Sequence, residues 1–136
     1  MKIIIIVGPP GCGKTFYANQ QIIKTGGVLV DDLTSLIQLE SAISQNPDCV
    51  YIIDLSLIFG DNRDALGEYL RSKHVVDVEW VYFENNIDKC YNNVEYRNDG
   101  RNVDATLRLA KQYYKVPTGQ IAKKIWQPEF LPEKTN

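Results

Sequence analysis

The apolar residues of this chain fall into short continuous runs that alternate with stretches of helical periodicity. Residues 3–7 and 49–53 are almost entirely apolar, which is typical of parallel strands covered on both faces. Between such runs, apolar residues recur every three or four positions, and this spacing indicates amphipathic helices. The alternation therefore predicts an α/β protein with a mostly parallel sheet wound on both sides.

Turn and capping residues mark where the predicted elements begin and end. The predicted strands cover residues 3–7, 28–30, 49–53, 75–83 and 121–126. The predicted helices cover residues 14–24, a segment from a capping box at Ser35 to about residue 46, a segment after Gly60, residues 86–96 and a segment capped by Asp104. In the fourth strand, apolar residues alternate with Asp77 and Glu79. One face of that strand is thus partly solvated, and we expect it near an edge of the sheet.

A glycine-rich segment joins the first strand to the first helix, and its spacing is that of a phosphate-binding loop: Gly8, four residues, then Gly13, Lys14 and Thr15. We predict that Gly8, Gly11 and Gly13 take positive φ and turn backbone N–H groups towards an anion at the helix N-terminus. Lys14 then supplies a charge to the β and γ phosphates, and the Thr15 hydroxyl binds a magnesium ion that bridges them. The segment predicts binding of a nucleoside triphosphate.

Cys12 occupies a variable position of this loop, and we expect it to be one of the residues that contact the nucleotide. Its side chain is expected to be a spacer, although a thiol at a helix N-terminus can have a lowered pKa and oxidise.

Acidic residues follow the second and third predicted strands. Asp31 and Asp32 end the second strand, and Asp54 ends the third. A carboxylate after a buried strand is the expected second magnesium partner of a phosphate-loop protein, and we assign this role to Asp54. Ligands of open parallel sheets lie outside the carboxyl ends of the strands, so these residues and the loop should meet in one crevice.

Composition limits the other functional classes. With 136 residues and 44% hydrophobic residues, we expect one domain over residues 1–128 and a frayed tail over residues 129–136. A net charge of -2 gives no general basic field for a long nucleic acid, so polymer binding would be local. The apolar run at the N-terminus is too short for a signal peptide or a membrane span. Three cysteines without metal-ligand spacing fit a reducing cytoplasm.

The motifs together resemble those of the small phosphate-loop kinases, most closely the kinase domain of bacteriophage polynucleotide 5′-hydroxyl kinases, over nearly the whole chain. A phage origin would fit this resemblance. The matching features are Gly8, Gly13, Lys14 and Thr15, the pair Asp31 and Asp32, Ile52 to Asp54 followed by a helix with Arg63, Val81 to Phe83, Asn93 to Arg97, Arg101, and Leu107 to Tyr113.

The resemblance implies specific roles and a specific topology. It implies that Asp32 is the general base for the accepting hydroxyl, and that Arg97 and Arg101 are lid arginines that close over the triphosphate. It also implies a three-layer sandwich of the P-loop NTPase type, with five strands in the order 2-3-1-4-5. The polynucleotide kinases carry an arginine shortly after the base, where this chain has Thr34 and Ser35.

We therefore expect an ATP- and Mg²⁺-dependent kinase that transfers the γ-phosphate to a hydroxyl of a nucleic-acid 5′ end or of a nucleotide-like small molecule. The alternative is an ATP-binding or ATP-hydrolysing module that regulates a partner without an acceptor. On the structural side, Asp32 could simply cap the following helix, and Arg97 and Arg101 could belong to a solvated turn. The residues leave open the acceptor and the choice between ATP and GTP.

Overall fold

The computed structural model describes residues 1–31, 33, 36–97, 100 and 102–127. Four strands and five α-helices alternate along this part of the chain. The strands are β1 (Lys2–Val7), β2 (Val28–Asp31), β3 (Cys49–Ile53) and β4 (Val78–Tyr82). The helices are α1 (Lys14–Thr25), α2 (Ile37–Ser44), α3 (Gly60–Ser72), α4 (Ile87–Arg97) and α5 (Asp104–Tyr113), with a short 3₁₀-helix at Leu55–Ile58.

The four strands form one parallel sheet in the order β2-β3-β1-β4. The register aligns Ile6 with Ile53 on one side of β1, and Val7 with Tyr82 on the other. The carboxyl ends of β1, β3 and β4 therefore lie level with one another, directly below the segment that follows Val7. The α/β class and the parallel sheet agree with the sequence prediction.

Alternate residues of β1 enter two different hydrophobic cores, which explains why its sequence is apolar without interruption. Ile3 and Ile5 pack into one core with residues of α2 and α3, whereas Ile6 packs on the opposite face with residues of α1 and α4. All three side chains are fully buried. Full burial of a side chain of this size stabilises the fold by about 1.5–3 kcal/mol. Strand β1 therefore contributes to the stability of the cores on both faces of the sheet.

The prediction of a fifth strand at residues 121–126 is wrong. This segment lies beside β4 but joins it only at one bridge, where the Lys123 N–H donates to the Tyr82 carbonyl (2.7 Å) and the Glu84 N–H to the Lys123 carbonyl (2.8 Å). Beyond the bridge, the Ile125 N–H donates to the Glu84 carboxylate (3.3 Å). The Trp126 N–H donates to the Cys12 carbonyl (3.2 Å), which lies outside the sheet. Because the Ile125 and Trp126 N–H groups have partners other than β4, the single bridge at Lys123 does not extend into a ladder.

The remaining predictions about the elements are confirmed in part, and some of the predicted residues lie outside the described ranges. β4 is shorter than predicted, but it does lie at the edge of the sheet. Helix α1 ends at Thr25, one residue beyond the predicted end, and Gly26 caps it. The predicted capping residue Ser35, the base candidate Asp32, the lid candidate Arg101 and the tail 129–136 lie outside the described residues. Within the described part of the chain, no helix combines the length and apolarity that a bilayer span would need.

Candidate active site

The glycine-rich loop (residues 8–13) leaves β1 and turns into α1 at the carboxyl edge of the sheet. Gly11 and Gly13 have φ values of +81° and +99°, as predicted. Gly8 does not have positive φ, so that part of the prediction is wrong. Gly8 is needed for a different reason, because a Cβ there would lie 2.6 Å from Cys12 Sγ and 2.9 Å from Phe83 Cβ. The loop and β4 can approach this closely only at a residue without a side chain.

The Lys14 side chain curls back into the glycine-rich loop and is 6% exposed. Its ammonium donates to the carbonyls of Gly8 and Pro9, both at 2.8 Å, and lies 3.7 Å from Cys12 Sγ. A buried charge is costly unless hydrogen bonds compensate it. The loop therefore holds a positive charge at its centre, and an incoming anion would compete with two carbonyl oxygens for it.

The Cys12 thiol is completely buried under the loop. Burial raises its pKa, and the nearby Lys14 charge opposes that rise without cancelling it. A thiol of this kind stays protonated at neutral pH, which argues against the alternative of a lowered pKa and agrees with a spacer role. Cys90 behaves alike, since burial raises its pKa to about 12. Both thiols therefore act as small core residues.

The Asp54 carboxylate follows β3 and caps the 3₁₀-helix. Its Oδ1 accepts from the Ser56 N–H (2.8 Å), and its Oδ2 accepts from the Leu33 N–H (2.5 Å). The second bond ties the segment after β2 to the end of β3. Each carboxylate oxygen keeps a further lone pair for another ligand.

Helix α4 packs directly on the glycine-rich loop. A Cβ on Gly11 would lie 2.6 Å from the Cys90 carbonyl oxygen and 2.9 Å from a methyl of Val94. The side-chain amide of Asn93, which is 3% exposed, donates to the Gly11 carbonyl at 2.8 Å. Arg97 lies one turn further on, on the same side of the helix as Asn93, and its side chain is exposed.

Asn93 begins the segment Asn93 to Arg97 that carries the family resemblance, but the sequence assigns it no role of its own. The helical spacing of residues 86–96 puts Tyr91 on the apolar face with Ile87, Cys90 and Val94, whereas in the structure Tyr91 is 43% exposed and Asn93 is buried. A signal was available, because Asn93 stands three residues after Cys90 and next to Val94, within the apolar stripe. A polar residue at such a position needs partners, and here they are backbone carbonyls.

The C-terminal strap (residues 123–127) crosses over the loop. The Trp126 N–H donates to the Cys12 carbonyl at 3.2 Å, and the Trp126 carbonyl accepts from the Asn93 amide. A Cβ on Gly13 would lie 2.6 Å from Trp126 Cβ, and the Phe16 and Trp126 rings pack in a tilted arrangement with their centroids 4.7 Å apart. The loop is thus packed between β4, α4 and the strap.

A cavity of about 410 Å³ opens between the first turns of α1 and the strap. Its wall begins at Gly13, so it adjoins the glycine-rich loop. Most of its other side chains are aromatic or cationic: Phe16, Tyr17, Phe83, Lys123, Lys124 and Trp126. The Lys123 ammonium lies 4.8 Å from the centre of the Tyr17 ring. A planar group beside a bound phosphate would find stacking surfaces here.

A second cavity, of about 490 Å³, lies on the other face of the sheet between α3 and β4. Its lining includes two aromatic side chains, two arginines and two carboxylates: Trp80, Tyr82, Arg63, Arg71, Asp64 and Glu68. The aromatic rings stack at 6.3 Å between centroids, and the Arg63 guanidinium lies 5.8 Å from the Tyr82 ring centre. Among the residues that the structure describes, Asp64, Glu68 and Arg71 form no ion pair.

The structure brings together only part of the predicted site. Gly8, Gly11, Cys12, Gly13 and Lys14 form one compact loop, and Thr15 follows it in the first turn of α1 with an exposed side chain. Asp54 stands at the end of the strand beside β1, and Arg97 extends from the helix that packs on the loop. The predicted base Asp32 and the second lid arginine Arg101 are not among the described residues.

The residues present fit a magnesium ion shared with phosphates. The Thr15 hydroxyl has no hydrogen-bond partner within the described ranges, and Asp54 keeps unused lone pairs. Nowhere in those ranges do three or more His, Cys, Asp or Glu side chains gather into a site that could hold a metal by itself. A magnesium ion at Thr15 and Asp54 would therefore need phosphate oxygens to complete its octahedral coordination.

The fold of this chain is similar to that of a solved kinase structure. The chain has a parallel α/β fold, with the glycine-rich loop between the first strand and the first helix. Among solved structures, it is similar to a gluconokinase from Sinorhizobium meliloti 1021, with a TM-score of 0.63 and 15% sequence identity, over 93% of this chain and 84% of the gluconokinase. No protein-family model matches the sequence, and neither does the sequence of any curated protein. At this identity, the likeness establishes the fold.

Proposed function

We propose that this protein is an ATP-dependent phosphotransferase. The observation that carries the proposal is the Lys14 ammonium, held at the centre of a loop in which Gly11 and Gly13 take left-handed conformations in front of a helix N-terminus. This arrangement supports an anion site at which the cation, backbone N–H groups of the loop and the helix dipole would act together. Such sites bind the β and γ phosphates of nucleotides.

The cavity beside Gly13 favours a nucleotide over a bare polyphosphate. Its aromatic walls, Phe16 and Trp126 among them, adjoin the loop, so a base could stack there while the phosphates occupy the loop. Magnesium, bound by Thr15 with Asp54 nearby, would neutralise charge on the transferred phosphoryl group.

Transfer needs a carboxylate to accept the proton of the attacking hydroxyl, and cations to offset the charge that spreads over the phosphoryl oxygens. Asp32 is our candidate for the base. The residues on either side of it support this assignment, because Asp31 pairs with Ile53 in the sheet and the Leu33 N–H is bonded to Asp54. Arg97 and Arg101 are the candidate lid cations.

We expect Arg97→Ala to lower kcat by roughly 10²-fold while the Kd for MgATP changes less than about threefold, because a lid cation acts mainly on charge that develops in the transition state. The measurement is steady-state turnover beside calorimetric titration with MgATP. Arg108→Ala, at an exposed position of α5, is the matched control and should leave both unchanged. An equal loss in kcat and affinity for Arg97→Ala would make this residue a ground-state phosphate clamp.

For the acceptor, we propose a nucleic-acid 5′ end or a nucleotide-like molecule. The cavity between α3 and β4 supports this class, because it combines stacked aromatic rings with Arg63 and Arg71. Bases stack on aromatic side chains, and guanidinium groups bind phosphates. The gluconokinase of similar fold suggests a different acceptor, a sugar acid, which the experiment must include.

The decisive experiment incubates the protein with γ-labelled ATP, Mg²⁺ and one of three acceptors: a 5′-hydroxyl oligonucleotide, a nucleoside 3′-phosphate or gluconate. Labelled oligonucleotide or nucleotide supports the proposal. Labelled gluconate would support the assignment as a kinase but would contradict the proposed acceptor class. Binding of MgATP with no labelled acceptor, across these and a wider pool of hydroxyl compounds, would favour the regulatory ATP-binding module instead.

We expect Arg71→Ala to raise the KM for the phosphate-bearing acceptor roughly tenfold, because a charged hydrogen bond to the acceptor is lost while the ATP site is untouched. The measurement is the acceptor dependence of transfer at saturating MgATP. Arg108→Ala again serves as the control, since it removes the same charge from another exposed helix position. Equal KM values in the two variants would exclude the second cavity as the acceptor site.

A further inference from the structure

We infer that Asn93 is a positioning residue that fixes the glycine-rich loop between α4 and the C-terminal strap. Its effect on catalysis rests on the proposed function, whereas its effect on the loop does not. The buried Asn93 side-chain amide contacts two segments far away in the sequence: Gly11 lies 82 residues before Asn93, and Trp126 lies 33 residues after it.

The amide nitrogen uses both of its hydrogens on backbone carbonyls. Nδ2 donates to the Gly11 carbonyl at 2.8 Å and to the Trp126 carbonyl. Two carbonyl partners require a donor with two hydrogens, and at this position only an amide of this length supplies them. The Oδ1 atom is buried and has no partner in the described part of the chain. An unpaired buried acceptor is unfavourable, so the two donated bonds are what this side chain contributes.

These two bonds connect the parts of the site that must act together. Gly11 belongs to the loop that surrounds Lys14, and Arg97 is the next residue on the same side of α4. Trp126 packs on Phe16 and is held against Gly13. Asn93 therefore sets the distance of α4, and with it Arg97, from the loop, and it holds the wall of the cavity that adjoins Gly13.

The test compares Asn93→Asp with Asn92→Asp. Both replace an amide by a carboxylate of the same size at adjacent residues of α4, but the Asn92 side chain has no hydrogen bond or ion pair to other described residues. A carboxylate at residue 93 donates no hydrogen bond and repels two carbonyl oxygens. Asn93→Ala is the second variant, which removes the donor without adding a charge. Circular dichroism and thermal melting identify any variant that does not fold.

The first measurement is amide hydrogen exchange in the nucleotide-free protein, which reports local opening. We expect faster exchange over residues 11–15 and 123–127 in Asn93→Asp and Asn93→Ala, and wild-type exchange in Asn92→Asp. Because this readout requires no ATP, it decides the structural part of the inference even if the protein binds no nucleotide. Unchanged exchange in folded Asn93 variants would overturn the inference.

The second measurement is titration with MgATP. We expect the Kd to rise roughly 10- to 100-fold in Asn93→Asp, through loss of two bonds that hold the site, and to stay within about twofold of wild type in Asn92→Asp. In the Asn93→Asp background, Arg97→Ala should cost much less than the roughly 10²-fold expected in wild type, because Arg97 is then already misplaced. Suppose that amide exchange is faster, but the Kd for MgATP is unchanged and Arg97→Ala still causes its full loss of activity. Asn93 would then stabilise the loop without positioning it for catalysis. Failure of the wild type to bind MgATP would instead overturn the proposed function.

Discussion

Replacing Lys14 with alanine should weaken MgATP binding by at least about 100-fold and reduce phosphoryl transfer to background. The loop amides and the helix N-terminus remain in the variant, but the buried cation at the centre of the loop is gone. Loss of one partner of a desolvated, hydrogen-bonded charge pair costs roughly 2–5 kcal/mol, and the γ-phosphate loses its main positive neighbour during transfer. Calorimetric titration and transfer from labelled ATP provide the two measurements.

Lys24→Ala is the control for this experiment, since Lys24 lies exposed in the last turn of the same helix. It should bind and transfer as the wild type does. Lys14→Ala also removes the donor to the Gly8 and Pro9 carbonyls, so its melting temperature must be compared before activities are interpreted. A folded Lys14→Ala variant with wild-type turnover would falsify the assignment of this loop as a phosphate site.

Replacing Asp32 with asparagine should lower transfer to the acceptor by roughly 10²- to 10⁴-fold, while MgATP affinity and thermal stability stay close to wild type. Asparagine keeps the size of the side chain and can still cap a helix, but it takes no proton at neutral pH. General-base catalysis contributes about this much to the rate. The measurement is single-turnover transfer at saturating MgATP and acceptor.

Asp31→Asn is the matched control, because Asp31 is the adjacent carboxylate, exposed at the end of β2. The two variants should differ in rate by at least about tenfold. If Asp32→Asn melts much earlier but keeps its activity per folded molecule, Asp32 is only a cap. If Asp31→Asn is the slow variant, the base is Asp31, and if neither is slow, the regulatory ATP-binding module becomes the better description.

The sequence predicts well those features that depend on nearby residues. Hydrophobic periodicity and nearby turn residues predict several elements. These are the apolar strands β1 and β3, the helix after the glycine-rich loop and the edge position of β4. Gly11 and Gly13 follow from the spacing of the motif, since a left-handed turn before a helix requires glycine. These features need no knowledge of which distant segments come together.

The features that the sequence does not predict depend on contacts between distant segments. Residues 121–126 have strand-like composition, but the Ile125 N–H donates to the Glu84 carboxylate and the Trp126 N–H to the Cys12 carbonyl instead of to β4. Gly8 is required by the approach of Phe83, and Cys12 is buried by the same packing. Asn93 is buried because two carbonyls, one from each end of the chain, meet beside it.

The strap also has a consequence for the order in which the protein matures. The glycine-rich loop lies within the first 15 residues, but part of its packing comes from Asn93 and Trp126, which are translated much later. A nascent chain thus carries the complete loop sequence long before the loop can adopt its final geometry. The loop can therefore reach its final geometry only after residue 126 has been synthesised, although its own sequence is complete more than 100 residues earlier.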